Sequence, residues 1–121
     1  MLPNFLIIGA SKSGTTALYY YLKQHPEISF SDLKEPKYFS SVNGFFPHNG
    51  IGDRSVDKHV IRSLTEYKKL FADIDNKRVG EASPDTLYFY DKTVIKIKET
   101  LGDVPIIVML RNPVKRAFSA F

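Results

Sequence analysis

The chain has 121 residues, 43% of them hydrophobic and 25% charged, which suits one globular domain and excludes disordered and coiled-coil classes. It contains no cysteine, so disulfide scaffolds and thiolate-held zinc or iron–sulfur centres are excluded. Seventeen Lys and Arg against thirteen Asp and Glu give a formal charge of +4, a mild bias towards an anionic ligand.

No apolar run approaches the about 20 residues that cross a bilayer, and no basic segment precedes Phe5 as a secretory leader requires. With the missing cysteines, this predicts a soluble, cytoplasmic protein with no membrane partner. Phe5-Leu6-Ile7-Ile8 is a continuous apolar run ending at Gly9, the pattern of a buried parallel strand. A helix is predicted over 15–24, with Leu18, Tyr21 and Leu22 on its apolar face and Pro26 closing it. Residues 27–30 read as a short second strand, and 40–55, rich in Ser, Asn, Gly and Pro, as a long loop.

Val60, Leu64, Tyr67, Phe71 and Ile74 step at helical spacing, leaving Lys58, Arg62 and Lys69 for solvent. A third strand follows at 78–82. Asp91 is placed to cap a helix ending at Leu101, with Gly102 as its stop. Residues 105–110 read as a second buried strand, and Asn112-Pro113 as an N-cap with proline at the first helical position. Val114, Ala117, Phe118 and Phe121 form the stripe of that last helix. Strands alternating with helices predict an α/β fold with a parallel sheet. The last helix reaches Phe121 without a cap or terminator, so an incomplete domain is expected.

The strongest local signal is Gly9-Ala10-Ser11-Lys12-Ser13-Gly14-Thr15-Thr16, between the first strand and the first helix. Glycines let backbone N–H groups turn inward, and the helix N-terminus adds partial positive charge, so the loop suits a phosphate. A plain turn would need the glycines but not the lysine and hydroxyls. The nucleoside-triphosphatase pattern puts lysine directly after its second glycine; here that position is Thr15, and the lysine lies upstream at Lys12. The strand at 105–110 runs into Arg111 rather than a magnesium-binding carboxylate. An anion handled without a metal is therefore expected.

These residues, with Ile106-Ile107-Val108-Met109-Leu110-Arg111-Asn112-Pro113-Val114-Lys115-Arg116-Ala117-Phe118-Ser119, resemble the two cofactor motifs of sulfotransferases that use 3′-phosphoadenylyl sulfate (PAPS). The resemblance implies an α/β, P-loop-like parallel β-sheet flanked by helices, with 1–121 as the N-terminal part of the domain, inactive by itself. It implies that Lys12 stabilises charge on the leaving group and that Ser11, Ser13, Gly14, Thr15 and Thr16 bind the 5′-phosphosulfate. Arg111 and Ser119 would bind the 3′-phosphate. Alone, Arg111 reads equally as a solvated arginine, and Ser119 rests on the motif. Ser11 stands where many members have proline.

Sulfuryl transfer needs a base for the acceptor's proton. Lys34-Glu35-Pro36-Lys37-Tyr38-Phe39 alone reads first as a surface carboxylate among lysines, with Pro36 holding Glu35 extended. It resembles the K-E-P-x-x-F stretch of carbohydrate-type members, which implies Glu35 as the base, with Lys34 and Lys37 at the acceptor. Gly80-Glu81-Ala82-Ser83-Pro84-Asp85 resembles the family's E-K-S-P turn, but Ala82 replaces the lysine of heparan-type enzymes, which argues against a heparan-like acceptor.

Glu66 and Glu81 have no assignable partner. His25, His48 and His59 lack metal-ligand spacing, and Tyr19-Tyr20-Tyr21 reads as packing. The expected activity is sulfuryl transfer from PAPS to a hydroxyl or amino group of a small-molecule or carbohydrate acceptor, with no metal. A nucleotide or small-molecule kinase would need the lysine and carboxylate that are missing. A non-catalytic anion- or nucleic-acid-binding module would cluster its basic residues with aromatics, whereas these are scattered; no nucleic-acid partner is expected.

Overall fold

A computed structural model of the chain describes residues 1–41 and 60–115. In chain order these form β1 (Phe5–Gly9), α1 (Thr15–Lys23), β2 (Ile28–Phe30), α2 (Tyr38–Ser41), α3 (Leu64–Phe71), β3 (Arg78–Ala82), α4 (Tyr90–Leu101) and β4 (Ile106–Val108). The four strands make one parallel sheet in the order β2-β3-β1-β4. The fold is α/β, with helices flanking the sheet, as the alternation of elements predicts.

β1 explains the core. Its residues point alternately to the two faces of the sheet. Leu6 joins Tyr38, Phe39, Tyr67, Phe71, Val79 and Ile97 on one face. Phe5 and Ile7 join Tyr19, Phe30 and Ala82 on the other. Both faces are covered, which is why the run is continuously apolar. β4 corrects the expectation of a second buried strand: Ile106 is 44% and Val108 42% exposed. Among the described residues β4 has a neighbour only on its β1 side, so its apolar run marks a strand but not a covered one.

The helices differ from expectation in detail. α1 buries Thr15 and Tyr19, and Leu18 and Leu22 pack against the same cluster as predicted; Tyr21 does not, being 75% exposed. α3 starts at Leu64 because Ser63 caps it, its hydroxyl accepting from the Glu66 N–H at 3.1 Å, a local signal that overrides the longer apolar stepping. Val60 is buried but lies outside the helix. In α4 the cap position belongs to Phe89, and Asp91 falls in the first turn, facing the positive end of the helix. Gly102 ends α4 with φ 78°, a conformation that glycine adopts freely. Asn112 caps as expected, Oδ1 accepting from the N–H groups of Val114 and Lys115 at 3.0 and 3.3 Å. The predicted loop beyond Ser41, Lys58, His48, His59 and the stripe residues Ala117, Phe118 and Phe121 lie outside the described residues.

Gly80 sits in β3 beneath the Phe5 and Phe30 rings, whose centroids are 5.7 Å apart, edge to face. A Cβ there would collide with both rings. Gly80→Ala is therefore expected to overpack the sheet and cost about 1–3 kcal/mol, read as a lower urea midpoint at unchanged slope.

Candidate active site

The carboxyl ends of β1 and β3 open on the same edge of the sheet, where ligands of parallel α/β sheets bind. Gly9 leaves β1 against the 84–87 turn: a Cβ on it would lie 2.8 Å from the Leu87 Cβ and 3.1 Å from the Pro84 carbonyl oxygen. Beyond it, the Ala10 N–H donates to the Met109 carbonyl at 2.7 Å and the Met109 N–H to the Gly9 carbonyl at 2.8 Å. The loop is thereby fastened to the chain following β4. It then turns through left-handed φ at Lys12 (59°) and Gly14 (87°) into α1. No side chain caps α1 and its first turn holds no carboxylate, so its N-terminal N–H groups and partial positive charge are available to an anion.

Arg111 brings the second motif to the first. Its Nη1 donates to the Lys12 carbonyl at 3.0 Å, across 99 positions of sequence. Ser11, Lys12, Gly14, Thr15, Thr16, Glu35 and Pro84 line one cavity of about 300 Å³. Ser13 is buried and its hydroxyl turns back to the Ser11 carbonyl at 3.4 Å. Lys34 spans the rim: its ammonium donates to Thr16 Oγ1 at 3.1 Å and pairs with Glu35 Oε1 at 3.4 Å. Lys37 does not join this group. It lines an adjoining cavity of about 490 Å³ with Ala10, Ser11, Pro84, Asp85, Leu87, Tyr88 and Phe89. Ser119 lies outside the described residues.

Glu35 departs from the extended conformation expected before a proline. Its φ is 56°, and Lys37 on the other side of Pro36 has φ 59°. Proline disfavours only the right-handed helical region for its predecessor, and the left-handed region satisfies that rule too. Such conformations cost about 1–3 kcal/mol each outside glycine and persist where the surroundings impose them. Among the described residues, the three non-glycine residues with positive φ, Lys12, Glu35 and Lys37, all line these two cavities.

A buried acidic group lies behind them that the sequence left without a partner. Glu81, 4% exposed, accepts from Ser83 Oγ through Oε1 and from the Tyr67 hydroxyl through Oε2 at 3.3 Å. Burial pushes its carboxyl up to about 7, against the opposing effect of those two hydrogen bonds. Burial and the neighbouring Glu81 push the Tyr67 phenol up as well. Asp85 is raised chiefly by burial, with the Ser40 hydroxyl and Lys37 pulling the other way. Its Oδ1 is buried without a hydrogen-bond partner. A signal existed in the sequence: an acid flanked by Val79, Gly80 and Ala82 near the carboxyl end of a strand, on the edge where the glycine loop opens. Among the described residues no group of three or more His, Asp or Glu side chains could hold a metal ion.

No family profile matches the chain. A membrane-associated sulfotransferase of Dictyostelium discoideum is 37% identical over 99% of the chain and 22% of its own length. Human carbohydrate sulfotransferase 15 is 31% identical over 99% of the chain and 27% of its length. Among solved structures, a sulfotransferase from Alicyclobacillus acidocaldarius superposes with a TM-score of 0.90 at 42% identity. The chain is a relative of the sulfotransferases.

The likeness read from the two loops thus extends over nearly the whole sequence. The chain spans about a quarter of these two curated relatives and 49% of the solved one. The expected cytoplasmic location is corrected by the relative named as membrane-associated. A missing cysteine reports on thiol chemistry and not on address, and the matched stretch is only a fraction of that relative. Among the described residues no helix is long and apolar enough to cross a membrane.

Glu81 sets a pH dependence of stability. Its carboxyl lies at about 7 folded against an ordinary value of 4.5, so between these the folded state holds a proton that the unfolded state has lost. Its contribution is fully present below about 4.5 and is lost as pH rises through about 7. Urea titrations from pH 4.5 to 8 should show that decline, and Glu81→Gln should remove it.

Proposed function

We propose that the protein containing this chain transfers a sulfuryl group from PAPS to a hydroxyl or amino group of a carbohydrate acceptor, the chain supplying the donor-binding part. The observation that carries this reading is the single cavity shared by Lys12, Glu35 and the open N-terminus of α1, with Arg111 fastened to the Lys12 carbonyl. Those donors fit an anionic donor molecule: a lysine, hydroxyls, uncapped N–H groups and no acid in the first helical turn. When bound, PAPS supplies a sulfuryl group on a phosphate leaving group.

Lys12 neutralises the charge that develops on the leaving oxygen, an interaction stronger in the transition state than before it. The start of α1 and the Thr16 hydroxyl hold the 5′-phosphate. Arg111 spends one N–H on the Lys12 carbonyl and keeps the rest of its fork for the 3′-phosphate, the group to which the family resemblance also assigns Ser119. Glu35 takes the acceptor's proton, its carboxylate oriented by the Lys34 ammonium. The adjoining cavity suits the acceptor: Lys37 and Asp85 offer charge-assisted hydrogen bonds, and Tyr88, 80% exposed, offers a ring face. A carbohydrate is supported by the name of the human relative. The kinase reading is disfavoured because Thr15 stands where its lysine would be.

Calorimetry on the protein should show adenosine 3′,5′-bisphosphate binding unchanged by a chelator and tighter than ATP. Magnesium-dependent ATP binding that exceeds it would reverse the choice between transferase and kinase. Lys12→Ala should lower kcat by about 100-fold or more, the scale of a lost transition-state donor, with a much smaller effect on bisphosphate affinity. Glu35→Gln should likewise remove most turnover and leave that affinity intact.

A further inference from the structure

The proposed base stands on a turn with two residues in the left-handed region, yet Glu35 and Lys37 are not glycines. Something must hold that turn. Pro36 is fully buried between them and its carbonyl accepts from the Ile61 N–H at 2.8 Å. The N–H of Lys37 donates to Ser83 Oγ at 3.1 Å. The Ser83 hydroxyl spends its own proton on Glu81 Oε1, so its lone pairs face the Lys37 N–H. Glu81 is fixed in turn by the Tyr67 hydroxyl on α3. Ser83 is itself fastened to β1 by its N–H, which donates to the Ile7 carbonyl at 3.1 Å. Ser83 and Glu81 are 2% and 4% exposed, and neither lines the cavity that holds Lys12 and Glu35.

We infer that Glu81 and Ser83 are positioning residues, a buried relay from β3 that holds the Lys37 N–H and so sets the turn presenting Glu35 to the acceptor. A hydroxyl can both donate and accept; the carboxyl of Glu81 fixes which way this one points. A serine without that acceptor would be free to rotate its proton towards the Lys37 N–H and lose the hydrogen bond. The relay costs the burial of an acid, which makes no sense as packing alone. The inference rests on Glu35 being the base, as proposed above.

The test uses the intact protein, sulfur-labelled PAPS and whichever unsulfated glycosaminoglycan or oligosaccharide the parent sulfates fastest. Ser83→Ala should lower kcat by about 10- to 100-fold, the scale of a small misplacement of a reacting group. Bisphosphate affinity should stay at the parent value, and the Lys37 amide should exchange its hydrogen faster. In a Glu35→Gln background, Ser83→Ala should cost nothing further, because the group it positions is gone. Glu81→Leu, which removes the acceptor of the Ser83 hydroxyl, should lower kcat by a similar factor with bisphosphate affinity at the parent value. Should Ser83→Ala unfold, Ser83→Cys keeps the size with a poor hydrogen-bonding sulfur and carries the same expectations.

Unchanged kcat with a faster-exchanging Lys37 amide would overturn the relay, as would losses that multiply in the double variant. Full turnover in Glu35→Gln alone would overturn the base itself. The two failures are distinguishable, because in the first Glu35→Gln is inactive while Ser83→Ala is not.

Discussion

Parallel pairing of β1 with both β3 and β4 is the constraint on which the site depends. Parallel strands end on the same side, so three separate stretches of chain deliver their following turns to one edge: the glycine loop, the 83–87 turn and the Arg111 segment. Burial of Leu6 and Ile7, 1% and 0% exposed, fixes β1 between its neighbours, since slipping it by one residue would exchange its two faces. The register in turn lets Gly9 approach the 84–87 turn and lets Arg111 reach Lys12. Apolar packing in the sheet thus determines where two cations and a carboxylate meet.

Backbone strain marks the same edge from another direction. Lys12, Glu35 and Lys37 occupy a region costly to residues with a Cβ, and glycine at any of them would relieve the cost. What glycine would remove is the ammonium or the carboxylate. On the proposed function, that strain is the consequence of placing a functional side chain where the chain turns most sharply. The hydrogen bonds from the Arg111 guanidinium to the Lys12 carbonyl and from the Lys37 N–H to Ser83 are the local counterweights.

Patterns of short range were legible in the sequence. The 78–82 strand, the Gly102 stop and the Asn112 cap follow from spacing and cap chemistry, and the glycine loop falls between β1 and α1 as its position predicts. Properties set by distant contacts were not. Whether β4 is covered depends on what flanks it in the sheet and not on its own apolarity. On α1 Leu18 and Leu22 pack inward as their spacing predicts, but the inward tyrosine is Tyr19 and not Tyr21, because the run Tyr19-Tyr20-Tyr21 offers an aromatic on every side and only the ring of Phe30, 4.6 Å from Tyr19, selects one. The Glu35 conformation was missed because the proline rule excludes one region and leaves two.

Glu81 is the instructive omission. One partner, Ser83, stands only two residues along the chain, but the other, Tyr67, comes from a helix that only the fold brings to it. The two hydrogen bonds do not fully repay desolvation, since the carboxyl still lies near 7. An apolar residue in its place would fill the volume without that cost, but it could not direct the Ser83 hydroxyl. The polar cluster is thus accounted for by the turn it holds and not by the stability of the core around it.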